Sequence, residues 1–153
     1  METTAAAATN DPIAWLKADH ALIRGHLDAI SSTAWGSERV LRFEALKKLL
    51  AVHNAIEENL VYPALAKVAG AQERAFDLFH ETAEADVVVY TMTRALRLND
   101  EVLFNEQAGV LMDALLTHVH EEEEHAFPLL EAAPAAEVRA LADEIVAFRK
   151  TIA

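Results

Sequence analysis

Two stretches of this 153-residue chain share one pattern: HNAIEENLVYP beginning at His53, and HVHEEEEHAFP beginning at His118. Each has a histidine, glutamates four and five residues later, an aromatic residue nine later and a proline ten later. Residues four apart on an α-helix differ by about 40° in direction and about 6 Å along the axis. His53 and Glu57 therefore point the same way, as do His118 and Glu122. The repetition implies a duplicated helical hairpin with two equivalent halves.

The surrounding periodicity agrees. Asp11 and Pro12 read as an N-cap and a first helical residue. Ile13, Leu16, His20, Ile23, Leu27 and Ile30 then recur at three- and four-residue steps. Residues 31–37 read as a connection. A second helix is expected over about 38–69, with Leu46, Leu50, His53, Glu57 and Leu60 inward, a kink or break at Pro63, and Gly70 as its stop. A third is expected over about 71–98, with Phe76, His80, Ala83, Val87 and Tyr90 inward. Asn99 and Asp100 cap a fourth, whose stripe is Leu111, Leu115, His118, Glu122 and Leu129. After Pro134 a shorter fifth helix has Val138, Leu141, Ile145, Phe148 and Ile152 on one side. The pattern predicts an all-α, up-and-down four-helix bundle with an additional C-terminal helix over 12–153, preceded by a disordered tail at 1–11. A hydrophobic content of 53% with only four Gly and four Pro favours the same class.

His20, His53, His80 and His118, with Glu57 and Glu122, occupy places that such stripes otherwise give to Leu or Ile. Ionised carboxylates in a core are costly unless paired or metal-bound. No Lys or Arg shares that part of the stripe. A cation, or a pair of them, resolves the cost: each His–Glu pair offers a nitrogen and an oxygen, and the second carboxylate oxygen can bridge. His20 and His80 add nitrogens from the remaining helices. His26 and His120 turn outward on the same helical phase, whereas His125 and Glu84 return toward the site and are further candidates. The chain has no cysteine, which excludes thiolate ligands and cysteine nucleophiles. A net charge of -12 argues against nucleic acid and anionic membrane surfaces. No apolar run approaches the roughly 18 residues of a membrane helix, and the opening METTAAAATNDP is unlike a signal peptide. A cytoplasmic protein is expected.

The order His, His-x3-Glu, His, His-x3-Glu, running from Asp19–His20 to Pro128, resembles the hemerythrin-like, or HHE cation-binding, family. The resemblance implies a non-haem di-iron centre of two iron ions, with His20, His53, His80 and His118 as terminal ligands and Glu57 and Glu122 as bridges. Nitrogen and oxygen ligands alone would also admit zinc or manganese. It implies binding or sensing of dioxygen or a related small ligand such as nitric oxide or peroxide, together with a redox or signalling protein partner. A peroxidase, catalase-like or ferroxidase activity, or an iron store or sensor, are the alternatives. The chain departs from the oxygen carriers, which resemble His-x3-His on the third helix where this sequence has His80 and Glu84. Those carriers also space the last carboxylate five residues after its histidine, where Glu123 stands beside Glu122. A ferritin-like carboxylate enzyme fits less well, since only Glu122-x-x-His125 matches Glu-x-x-His, with Asp77-x-x-His80 a weak second.

Overall fold

Asp11 starts the first helix by accepting the Ile13 amide at 3.0 Å, one residue before Pro12 fixes the helical φ. In this computed structural model, which describes residues 10–152, helix α1 runs Pro12–Ser32. The tail expected at 1–11 falls mostly outside the described residues. Helix α2, Ser37–Ile56, passes into a π-helical turn, π1, over Glu57–Val61 and then into α3, Tyr62–Ala66. Gly70, at φ +78°, takes the left-handed turn that an L side chain disfavours. Helix α4 spans Gln72–Arg97. Asp100 accepts the Leu103 amide and opens α5, Glu101–Glu121, which continues through π2, Glu122–Ala126, into α6, Phe127–Glu131. Helix α7 is Ala135–Ile152. The described residues contain no strand.

The result is an all-α bundle. α1 packs on α2 and α5, α4 packs on α3 and α5, and α7 lies over α1, α2 and π1. No helix among the described residues is long and apolar enough to cross a membrane.

Both π turns have the same local cause. Pro63 and Pro128 lack an N–H and crowd the carbonyl four residues back. The chain answers with a wider turn, in which the Tyr62 amide bonds to the Glu57 carbonyl and the Phe127 amide to the Glu122 carbonyl, five residues away. That extra residue rotates everything downstream by about 100°. The expected inward positions Leu60 and Leu129 are therefore replaced by their successors, Val61 and Leu130, which are buried, while Leu129 is exposed.

A second departure concerns α4. Ala75, Leu78, Thr82, Met92 and Ala95 form its buried face, and Phe76, His80, Ala83, Val87 and Tyr90 face solvent. The helix carries two stripes about 100° apart. The bulkier one reads more strongly in sequence, but the small residues of the other pack inward.

The apolar core has two parts. One is built around Ile13, Leu16, Leu65, Leu78, Phe127 and Ile145. The other surrounds Leu27, Phe43, Leu46, Met92, Phe104 and Leu111. Along α1, His20 falls between Leu16 and Ile23; along α2 and π1, His53 and Glu57 fall between Leu50 and Val61; along α5 and π2, His118 and Glu122 fall between Leu111 and Ala126. A polar layer thus separates the two apolar ones.

Candidate metal centre

Glu57 and Glu122 are fully shielded from water, each at 0% exposure, and His20, His53 and His118 are buried around them. His53 Nε2 lies 3.1 Å from Glu57 Oε1, and His118 Nε2 lies 2.8 Å from Glu122 Oε1 and 3.8 Å from Glu57 Oε1. His20 Nε2 is 3.5 Å from Glu122 Oε1. The His20 and His53 rings meet edge to face with centroids 5.0 Å apart. Ligating atoms of His20, His53, Glu57 and Glu122 all lie within 4.8 Å of one another. No oxygen of either glutamate, nor His20 Nε2, has a hydrogen-bond partner of proper geometry. Buried polar atoms in native proteins are normally satisfied, so five unpartnered ones in one layer fit a place that could hold a cation.

The far sides of the imidazoles are fixed. His20 Nδ1 donates to Glu123 at 3.1 Å, His53 Nδ1 to Asp19 at 3.0 Å, and His118 Nδ1 to Glu81 at 2.8 Å. A carboxylate only accepts, so each Nδ1 carries a hydrogen, and Nε2 is the nitrogen left to face the centre. Outer carboxylates of this kind orient histidine ligands and raise their basicity. Arg149 of α7 in turn donates to Asp19 at 3.0 Å. Burial raises the Asp19 carboxyl, but His53 and Arg149 outweigh it and hold it below the usual range.

The electrostatics match a site built for positive charge. Burial opposes a charge on His53, yet Glu57 and Asp19 push it up to about 10. Burial likewise opposes a charge on His118, yet Glu122, Glu57 and Glu81 push it up to about 12. Burial disfavours ionised Glu57, but His53 keeps it charged, and burial with that neighbouring charge pushes Glu122 up. Protons fill part of the role a cation would otherwise take.

His80 is not part of this cluster. It sits on the exposed face of α4, its ring stacked on Phe76 at 5.7 Å. At the level of the site α4 presents Thr82, whose hydroxyl donates to the Leu78 carbonyl. The Tyr62 hydroxyl fills the space, 3.0 Å from His118 Nε2 and 3.2 Å from Thr82 Oγ1. Burial, then Glu57 and Glu122, raise that phenol well above its ordinary value. The internal repeat explains the arrangement. Asp19–His20 on α1 corresponds to Glu81–Thr82 on α4: the acidic residue holds the Nδ1 of the next helix's histidine in both halves. Phe127, the counterpart of Tyr62, stacks on His20 at 5.8 Å. Asp19, Glu81 and Arg149 escape a sequence reading, and Tyr62 stands out only as the aromatic residue of the repeat; the one available signal for the acids was an acid directly before the helix-facing position.

Glu84, His120 and His125 are exposed, and the last two rings approach each other at 6.1 Å away from the cluster. His26, half-buried, also stays out of it. Glu123 serves His20 from outside, and Glu122 is the carboxylate that enters the layer.

A family model for the hemerythrin HHE cation-binding domain matches residues 11–130. No curated protein matches the chain at a significant level. Among solved structures the chain is similar to a hemerythrin HHE cation-binding domain-containing protein, the Rv2633c homolog from Mycobacterium kansasii. The TM-score is 0.76 at 23% identity, covering 93% of this chain and 86% of that one.

Proposed function

Because the chain belongs to the hemerythrin HHE cation-binding domain family, we propose that its buried layer holds two iron ions and binds dioxygen or a related small ligand such as nitric oxide or peroxide. The observation that carries this reading is the pair of fully buried glutamates whose four oxygens lack hydrogen-bond partners. His20, His53 and His118 would hold the ions through their Nε2 atoms, with the Tyr62 hydroxyl beside His118. Glu57 and Glu122, packed among these nitrogens, would supply the carboxylate oxygens. This donor set of nitrogen and oxygen, without sulfur, suits iron. A bound iron pair supplies one-electron redox changes and a Lewis-acidic place for a small ligand.

The protein's own residues do the remaining work. Asp19, Glu81 and Glu123 hold the imidazole tautomers. The apolar layers above and below limit water, so the ligand taken up is small. With His80 on the exposed face of α4, three buried histidines surround the centre in place of the four that the resemblance implies.

The test is metal analysis of protein from iron-fed cells, with optical spectra before and after dioxygen or nitric oxide. Two irons per chain and a ligand-dependent spectrum are expected. One tightly held metal, or none after iron loading, would contradict the dinuclear reading. Two irons with an unchanging spectrum would remove small-ligand binding and leave storage.

A further inference from the structure

The outer face of α4 is apolar where a solvent-facing helix is normally polar. Phe76, Val87 and Tyr90 are 66%, 64% and 69% exposed, and Phe79 beside them 45%. Exposed apolar residues scattered singly are ordinary. These are not scattered: Phe76, His80, Ala83, Val87, Tyr90 and Arg94 follow one another at steps of four and three, the seam spacing of paired helices. The apolar part covers about 21 Å of helix at 1.5 Å per residue. Among the described residues nothing packs over it, whereas α7 covers α1, α2 and π1.

We propose that this face is a self-association surface on which two copies of the chain pair through antiparallel α4 helices. The charge distribution selects a second copy and sets its direction. Glu73, Asp77 and Glu84 are exposed in the first part of the helix, while Glu81 and Asp86 meet His118 and Asn54, and the one base there, Arg74, is paired with Glu121 at 2.7 Å. From Val87 onward there is no acid, and Arg94 and Arg97 close the helix. Parallel pairing would set acid against acid. Antiparallel pairing lays the basic end of each copy on the acidic end of the other. In the register that sets Ala83 against Val87, Phe76 meets Arg94 and Glu73 meets Arg97. The small Ala83 near the middle lets the helices approach closely.

Such a contact is isologous, with each patch serving both copies. Aromatic side chains offer about 150–250 Å² each. Three partly exposed ones with Val87 therefore give an interface below the standard size of a stable complex, and a weak dimer that dissociates on dilution.

Sedimentation of the metal-loaded full chain between about 1 and 100 μM should show the mass rising from one chain toward two. Phe76→Glu and Val87→Glu, both at exposed positions, should hold the protein monomeric with helicity and metal content unchanged. Arg94→Glu with Arg97→Glu should weaken the dimer at least tenfold, and adding Glu73→Arg with Asp77→Arg should restore it. A wild-type monomer over the whole range overturns the proposal. So does a dimer indifferent to Phe76→Glu and Val87→Glu, which would place the contact elsewhere. Failure of the reversed charges to restore pairing overturns the antiparallel arrangement.

Discussion

At Glu57 and Glu122 a carboxylate is sealed from water with neither oxygen properly bonded. Removing an ion from water carries an effective penalty of several kcal/mol even after the protein relaxes. Only strong, close positive charge offsets it. Glu57→Ala or Glu122→Ala should therefore cut the bound metal from two ions to at most one weakly held ion by elemental analysis. His80→Ala, Glu84→Ala and His120→Ala should keep the full complement, since their side chains are exposed. Metal loss in His80→Ala would show that α4 turns its other face inward. The gathering of His20, His53, Glu57, His118 and Glu122 is legible in sequence because each interrupts an apolar stripe. His80 interrupts one too, but on a helix with two stripes, and spacing alone does not say which faces the core. Asp19 and Glu81 are invisible for the opposite reason: an outer carboxylate next to a helix face looks like any solvated acid.

Helices α2–α3 and α5–α6 each carry their His–Glu pair directly into a π turn, and this is the least predictable part of the fold. Pro63 announces a disturbance, but not that the helix resumes one residue out of phase. That slip moves Val61 and Leu130 inward and aims Tyr62 and Phe127 at His118 and His20. The C-terminal helix acts at a distance through Arg149 and Asp19 on His53. Outer partners of histidine ligands are worth about 10- to 100-fold in metal affinity. Asp19→Asn should lose about that much in a chelator competition, and Arg149→Ala a smaller amount of the same sign. Unchanged affinity in both would mean that His53 needs no outer partner.

For the whole molecule, folding, protonation and metal binding are linked. In the metal-free chain His53 and His118 titrate near 10 and 12, above the ordinary 6.5. Their protonation stabilises the metal-free fold fully below about pH 6.5, and that contribution fades as pH rises through about 10 and 12. Metal binding has the opposite sign, because a ligating imidazole must give up its Nε2 proton. Loading at pH 7 should thus release at least one proton per chain, measured by calorimetry in buffers of different ionisation enthalpy. Affinity should climb with pH, and the loaded protein should melt above the metal-free one. Loading without proton release would refute the raised histidines. The reach of Arg149 also bears on how the protein is made. Domains form progressively as the chain is synthesised, and Glu122, Glu123 and the three histidines all precede position 149. Before α7 docks, the histidines and glutamates of the layer can meet, but Asp19 has no guanidinium to steady it. The tightest hold on a metal should then come only with α7 in place, and a chain cut before Arg149 should release metal more readily.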